Sequence, residues 1–281
     1  ANFYLGRIAD LNKNFPNAIK HYQQVKRSSH FEAALERSSF LLAKEEGKID
    51  EAIDYLNGLR TLQPDLSLKL WLLQFKLLST LQEEDRALKT LDLAIIEFPK
   101  DEQLLYARAM NREMHNDLTG MESDLRIIIE NNPNHAVALN ALGYTLANRT
   151  DRLEESFTLI KAALTLKPDN PMILDSMGWV LFKLDKKEEA LIFLLKAFQT
   201  YPDGEVAAHL GEVLWELGKQ NEAQAIWHQS LQKNPKHTAL IKTIERFLPF
   251  TTPPKDTEES SQPEDQPEDQ PDTVATPGNK H

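Results

Sequence analysis

The sequence lacks several features on which protein chemistry commonly depends. It has no cysteine, which excludes a disulfide framework and a thiolate metal site. Its ten glycines are not clustered into a phosphate-binding loop, and the Gly-x-Ser-x-Gly turn of many hydrolases is missing. No two of the eight histidines stand at metal-ligand spacing on one helix face. We therefore expect no enzymatic activity, no cofactor and no metal ion.

Long apolar runs and clustered positive charge are also missing. No window approaches the roughly 18 consecutive apolar residues of a membrane-spanning helix, and no charged-then-apolar signal segment opens the chain. The net charge is −11, and residues 249–281, with two lysines against eight acidic residues, carry −6 of it. The other 248 residues are mildly acidic, at −5. Nucleic acid is a poor partner for them, because binding to phosphates depends on clustered lysine and arginine.

Residues 249–281 also differ from the rest of the chain in composition. They hold seven of the 15 prolines together with eight acidic side chains. Such a segment cannot bury enough apolar surface to offset the entropy lost on ordering. We expect a disordered, acidic, proline-rich tail, which either stays free or occupies a basic stretch of the folded part.

The first 248 residues repeat with a period of about 34 residues. Each repeat contains an amphipathic run that stops at a proline, whose ring and missing N–H end a helix. The prolines that mark the period, at intervals of 33 to 35 residues, are Pro64, Pro99, Pro133, Pro168, Pro202 and Pro235. A glycine precedes the last three of them by 24 or 25 residues, at Gly143, Gly178 and Gly211.

Small and bulky residues follow these glycines at fixed distances. A small residue comes 12 or 13 places later, a bulky one four further on, and another small one three beyond. In chain order these are Ser156, Ile160 and Ala163, then Ala190, Leu194 and Ala197, then Ala223, Trp227 and Ser230. Small residues at a helix crossing let two backbones approach, and bulky ones fill the space beside them. The pattern resembles the tetratricopeptide repeat, which it matches best in the last three repeats.

The resemblance implies an all-α fold, a right-handed superhelix (alpha-solenoid) of about seven helix-turn-helix repeats. The repeats are expected at about 1–32, 33–66, 67–101, 102–135, 136–170, 171–204 and 205–237, with a capping helix at 238–248. Earlier repeats depart from the pattern, since Phe75 and Ala109 stand where glycine is expected and His30 where proline is expected. Because the first residue falls inside the first helix of a repeat, we expect the native protein to continue toward its amino terminus.

In the tetratricopeptide family, the first helix of each pair lines a concave wall that holds extended segments or partner helices. The family's wall positions, carried over to the amino-terminal half of this chain, form a basic stretch with Leu41 and Leu72 between its charges. The members of this stretch are Arg7, Arg37, Lys44, Lys69 and Lys76. The stretch is either a site for a carboxylate or an acidic segment, or a solvated helix face.

The same positions in the carboxy-terminal half combine aromatic, methionine and asparagine side chains. They are Tyr106, Met110, Asn140, Tyr144, Asn148, Asp175, Trp179 and Lys183. Aromatic and methionine side chains are adaptable contact residues, and asparagine can pair with a peptide backbone through both its donor and its acceptor. Trp179 either contacts a ligand or packs between adjacent first helices. The lysine and asparagine set with which co-chaperone repeats hold a terminal carboxylate is not reproduced here.

Residues 135–235 resemble, more particularly, the carboxy-terminal repeats of large proteobacterial outer-membrane tetratricopeptide lipoproteins. The stretches that carry this likeness are 139–147, 173–181 and 205–215. The likeness implies a non-catalytic scaffold on the periplasmic side of the outer membrane, with a lipid anchor upstream of this chain. Some members are adaptors that bind a carboxy-terminal processing protease and bring it cell-wall hydrolases as substrates. The alternative is a cytosolic regulatory or co-chaperone-like module.

Overall fold

The computed structural model describes residues 1–248, so the predicted tail at 249–281 lies outside the described residues. Within 1–248 the chain is helical throughout and contains no strand, which confirms the all-α solenoid class. The helices are α1 (Asn2–Leu11), α2 (Phe15–Gln23), α3 (Phe31–Phe40), α4 (Ile49–Leu62), α5 (Ser67–Thr80), α6 (Glu84–Glu97), α7 (Glu102–Met114), α8 (Leu118–Asn131), α9 (Ala136–Arg149), α10 (Leu153–Leu166), α11 (Pro171–Lys183), α12 (Lys187–Thr200), α13 (Gly204–Glu216), α14 (Gln220–Lys233) and α15 (Thr238–Phe247).

The helices pack mainly against their neighbours in the chain. Each odd-numbered helix from α1 to α13 contacts the even-numbered helix that follows it, and each pair then contacts the next pair. First helices of neighbouring pairs also touch, as α9 does α11 and α11 does α13. Such nearest-neighbour packing defines a solenoid, in which every repeat depends on the next one to cover its apolar face.

The prolines between repeats act at the backbone as the sequence predicts. The residue before each proline leaves the helical conformation, with φ near −130° and ψ between 70° and 86° at Phe98, Asn132 and Tyr201. An extended conformation at this position is what the proline ring imposes on its predecessor. A side chain two or three residues further on then caps the next helix, as Asp101 and Asn170 do by accepting backbone N–H bonds.

The second repeat departs from the predicted register. Helix α3 begins at Phe31, two residues before the predicted repeat boundary, and the chain continues from it into a π-helical segment at Leu41–Glu45. A π-helical turn absorbs an extra residue without breaking the helix. The prediction that Leu41 lines the groove is therefore wrong: Leu41 is fully buried. Phe40 lies beside the cationic groups of Arg37 and Lys44 instead, with ring-centroid distances of 5.5 and 5.2 Å.

The glycines of the last three repeats lie where two helices cross within a repeat. A Cβ at Gly143 would lie 2.6 Å from Ile160 Cγ1, and one at Gly178 would lie 2.5 Å from Leu194 Cγ. These distances are far below van der Waals contact, so only glycine fits without a shift of the partner helix. The small-and-bulky spacing in the sequence therefore marks a true helix crossing.

Helix α15 covers the end of the described solenoid. It packs on α13 and α14 and buries Leu240 completely. Phe247 lies against two indole rings, with centroid distances of 5.6 Å to Trp215 and 5.7 Å to Trp227. The predicted capping helix thus supplies the apolar surface that the last pair needs.

None of the helices within residues 1–248 combines the length and the apolar character that a membrane crossing would require.

Candidate functional site

A concave groove on the described chain is crossed by α7, α9, α11 and α13. We call it the C-half groove; its volume is about 500 Å³. Its lining residues are Tyr106, Met110, Glu113, Val137, Asn140, Ala141, Tyr144, Thr145, Asn148, Asn170, Met172, Ile173, Asp175, Ser176 and Glu205. Six residues predicted to line the concave wall, Tyr106, Met110, Asn140, Tyr144, Asn148 and Asp175, are among them.

Apolar side chains are accessible on the floor and the rim of this groove. Tyr106 and Met110 are half-buried against the core formed by α8 and α9, and Met172 is exposed. Burial raises the pKa of Tyr106, so its hydroxyl stays neutral at physiological pH. These residues offer an adaptable apolar surface to a guest chain.

Three asparagines in the lining differ in how far their side-chain hydrogen-bonding groups are already paired. Asn170 caps α11 and is already engaged through its side-chain oxygen. Asn148 is exposed, and Asn140 is half-buried. The Oδ1 atom of Asn140 is buried and has no hydrogen-bond partner within residues 1–248. A buried acceptor without a partner is costly, and a backbone N–H of a bound peptide would satisfy it.

Tyr144 links the groove across one whole repeat. Its hydroxyl donates to Glu205 Oε1 at 2.6 Å, which ties α9 to α13 over the intervening α11. Burial raises the pKa of Tyr144 strongly, and the charges of Glu205, Asp175 and Glu113 raise it further. The tyrosine therefore remains a hydrogen-bond donor throughout the accessible pH range.

Trp179 and Asp175 face the next repeat more than they face the open groove. Trp179 is only 7% exposed, and its ring stacks on that of His209 with a centroid distance of 4.2 Å. His209 Nδ1 donates to both carboxylate oxygens of Asp175, at 3.0 and 3.1 Å. The sequence left two roles open for Trp179, ligand contact and packing between adjacent first helices. Its position in the structure corresponds to packing. Lys183 lies outside the lining, with Nζ 6.0 Å from the Trp179 ring centroid.

The His209 imidazole makes stability sensitive to pH. Burial lowers the pKa of His209, but the charge and the hydrogen bond of Asp175, with Glu205 and Glu212 beyond, outweigh it and raise the pKa above the usual value. A raised pKa stabilises the folded state fully below the unfolded value of about 6.5 and loses that contribution as pH rises through the folded pKa. We expect the free energy of unfolding to fall above pH ~6.5.

Urea titrations at several pH values measure this dependence. His209→Gln is expected to remove the slope above pH ~6.5 even if the variant is less stable at every pH. His228→Gln is the matched control, because His228 is exposed on α14 and bonds only to Gln232. Burial also raises the pKa of Glu212 despite Arg246, so this group too loses stabilisation as pH rises, beginning above its unfolded value of about 4.5. An unchanged slope in His209→Gln would contradict the assignment.

The predicted basic stretch is largely neutralised by neighbouring carboxylates. Arg37 donates from Nε and Nη2 to Asp10 at 2.7 and 2.8 Å, which lowers the pKa of that carboxyl. Lys69 pairs with Glu32, and Lys76 pairs with Glu36. Arg7 and Lys44 are the exposed members that form no ion pair with another described residue. The amino-terminal half therefore carries less unpaired positive charge than its five basic wall residues led us to expect.

Several lining residues were missed by the sequence analysis. Glu113 and Val137 stand at wall positions of the family pattern but were not among the residues predicted from it. The contact between His209 and Asp175 could have been found in the sequence, because the two residues are 34 positions apart, one repeat length. Glu212 and Arg246 show the same separation. Pairs of opposite charge one period apart are therefore candidates for contacts between first helices.

No group of three or more potential metal-ligating side chains occurs within residues 1–248. The groove residues offer apolar contact, amide hydrogen bonding and carboxylate charge.

The repeat geometry, the crossing glycines and the concave wall define a tetratricopeptide-repeat solenoid. The chain is 44% identical over 212 residues to the TPR repeat-containing protein PA4667 of Pseudomonas aeruginosa, a match that takes in 75% of this chain. The match covers 36% of that protein, so this chain spans little more than a third of its relative's length. No family model matches the chain.

Solved structures share the fold at low sequence identity. The thermophilic TPR protein TTC0263 of Thermus thermophilus superposes with a TM-score of 0.56 at 21% identity, covering 64% of this chain and 99% of its own. A tetratricopeptide repeat protein of Parabacteroides merdae gives a TM-score of 0.59 at 14% identity, covering 87% and 96%. At these identities the likeness establishes the architecture alone.

Proposed function

We propose that this chain is a non-catalytic scaffold that holds a segment of another polypeptide in the C-half groove. The observation that carries the proposal is the combination, on one concave surface, of accessible Tyr106, Met110 and Met172 with the unpaired amide oxygen of Asn140. Apolar contacts supply affinity, and the amide supplies a partner for the guest backbone.

A selection from a random peptide library tests the proposal. Peptides of about 12 residues are long enough, when extended, to cross four helices packed about 9 Å apart. We expect the intact chain to enrich peptides that compete with one another for a single site. Tyr106→Ala with Met110→Ala should weaken the best synthetic peptide by about 2 kcal/mol in isothermal titration calorimetry. Helix content should be unchanged, because neither side chain is fully buried.

The matched control removes two exposed apolar side chains from second helices. Ile96 on α6 and Ile192 on α12 are 78% and 68% exposed and lie outside the groove. Ile96→Ala with Ile192→Ala should leave peptide affinity within about threefold, because scattered exposed contacts contribute little. If both double variants bind equally, or if no peptide is enriched, the C-half groove is not the site.

The finer role that we propose is that of an envelope adaptor, which presents substrates to a periplasmic protease or cell-wall enzyme. The resemblance of residues 135–235 to outer-membrane tetratricopeptide lipoproteins supports it. Fractionation of the source cells is the test: we expect the protein on the periplasmic side of the outer membrane. Recovery in the cytosol would favour the alternative, a cytosolic regulatory or co-chaperone-like module.

A further inference from the structure

The C-half groove has an unbalanced charge. Its lining includes three carboxylates, those of Glu113, Asp175 and Glu205, and no lysine, arginine or histidine. Asp175 is buried and accepts both hydrogen bonds from His209, so its charge is partly compensated behind the wall. Neither Glu113 nor Glu205 forms an ion pair with any residue between 1 and 248. The groove therefore carries two carboxylates that form no ion pair within the described chain.

The two carboxylates come from the first and the last of the four helices that cross the groove. Glu113 lies in the last turn of α7 and Glu205 in the first turn of α13. Glu205 Oε1 accepts the Tyr144 hydroxyl, and Oε2 has no hydrogen-bond donor among the described side chains. Both charges act on Tyr144, because each raises its pKa. Tyr144, near the middle of α9, therefore lies within the electrostatic field of both carboxylates.

Accessible apolar residues share this lining. Tyr106 and Met110 lie on α7, as Glu113 does, and Met172 lies on α11. A guest carboxylate near Glu113 or Glu205 would meet repulsion, whereas a lysine or arginine would gain a charge-assisted hydrogen bond. Acidic guests, including the chain's own acidic segment at 256–272, are disfavoured here on the same ground.

We propose that the C-half groove selects an extended polypeptide segment that combines apolar residues with lysine or arginine. The inference rests on the proposed function, since it names the chemistry of the guest that the scaffold holds. The cationic side chains face Glu113 and Glu205, and the apolar side chains contact Tyr106, Met110 and Met172.

The composition of the selected library peptides gives the first test. Peptides of about 12 residues enriched on the intact chain should combine apolar residues with lysine or arginine. Enrichment of neutral or acidic peptides would overturn the inference. If Tyr106→Ala with Met110→Ala still weakened those peptides, the proposed function would stand while the charge preference failed. Peptides insensitive to that double variant would reject the proposed function itself.

Charge removal gives the second test, with one selected synthetic peptide as the probe. Glu113→Gln with Glu205→Gln should weaken binding about tenfold at ~50 mM salt and much less at ~500 mM, because the interaction is electrostatic. Glutamine keeps an acceptor for the Tyr144 hydroxyl. Glu154→Gln with Glu188→Gln, on exposed positions of α10 and α12, removes the same charge outside the groove and should change affinity less than about threefold.

A double-mutant cycle between protein and peptide distinguishes direct contact with Glu113 and Glu205 from a general effect of charge. Replacing the peptide's lysine and arginine residues by glutamine should weaken binding to the unmodified chain but hardly change binding to Glu113→Gln with Glu205→Gln. Equal losses in both proteins would place the cationic side chains elsewhere and overturn the assignment.

Discussion

Replacing Arg108 and Arg112 together with methionine is expected to lower the free energy of unfolding by about 3–5 kcal/mol. Both arginines donate to Asp124, which is only 1% exposed, from Arg108 Nε and Nη2 at 2.9 and 2.7 Å and from Arg112 Nη1 at 2.9 Å. The double variant leaves a buried carboxylate without a cation. Removing one side of a buried ion pair costs far more than the pair contributes, because the remaining charge stays desolvated.

Chemical denaturation with two comparison variants checks the reason for this loss. Adding Asp124→Leu should recover much of the stability, since an apolar group of similar size no longer needs a cation. Arg126→Met with Arg152→Met removes two arginines from a more exposed network with Glu122 and Glu155 and should cost no more than about 1 kcal/mol. A triple variant as unstable as the double would show that lost side-chain packing, not the unpaired charge, caused the effect.

The same cluster shows why one repeat is recognisable in the sequence only by its spacing. In the repeat at 102–135, Arg108 and Ala109 stand where the family pattern has leucine and glycine, and Met121 replaces the small residue. Arg108 reaches across to Asp124 and Asp92, which belong to different helices. An ion cluster thus takes the place of apolar packing, a substitution that a pattern of residue sizes does not reveal.

Helix positions were predictable because they depend on local chemistry. Prolines, capping residues and apolar periodicity each act within a few residues, and the repeat boundaries drawn from them lie within one residue of the observed helix starts, except in the second repeat. There α3 begins two residues early, His30 replaces the proline and a π-helical segment takes up the extra residue. There the period alone could not fix the register, so Leu41 was placed on the wrong face.

The groove was predictable in outline and not in detail. Tyr106, Met110 and Asn140 line it because wall positions follow from the helical period. Trp179 occupies a wall position too, but the ring of His209 from the next repeat covers it. Likewise Glu32 and Glu36 neutralise lysines 37 and 40 residues away. Contacts between repeats decide which wall residues stay accessible to a guest. These contacts depend on side-chain conformations, which cannot be read from a single sequence.

Substitution of Gly211 by alanine is expected to lower the free energy of unfolding by about 3 kcal/mol, in spite of alanine's higher helix propensity. The new Cβ would lie 1.9 Å from Trp227 Nε1 and 2.3 Å from Trp227 Cε2. Trp227 cannot turn aside, because it is 1% exposed and its ring packs against both Trp215 and Phe247. Differential scanning calorimetry and urea denaturation should both register the loss.

The effect should reverse when the tryptophan is removed. Trp227→Ala alone costs about 3–5 kcal/mol through the cavity it leaves. In that background Gly211→Ala adds a methyl group to empty space and should stabilise the protein by up to about 1 kcal/mol. Gly58→Ala, in α4 with nothing within 4 Å of the new Cβ, should be stabilising in either background by about 0.5–1 kcal/mol. If Gly211→Ala were equally harmful with and without Trp227, close approach of α13 and α14 at this crossing would not be the reason for the glycine.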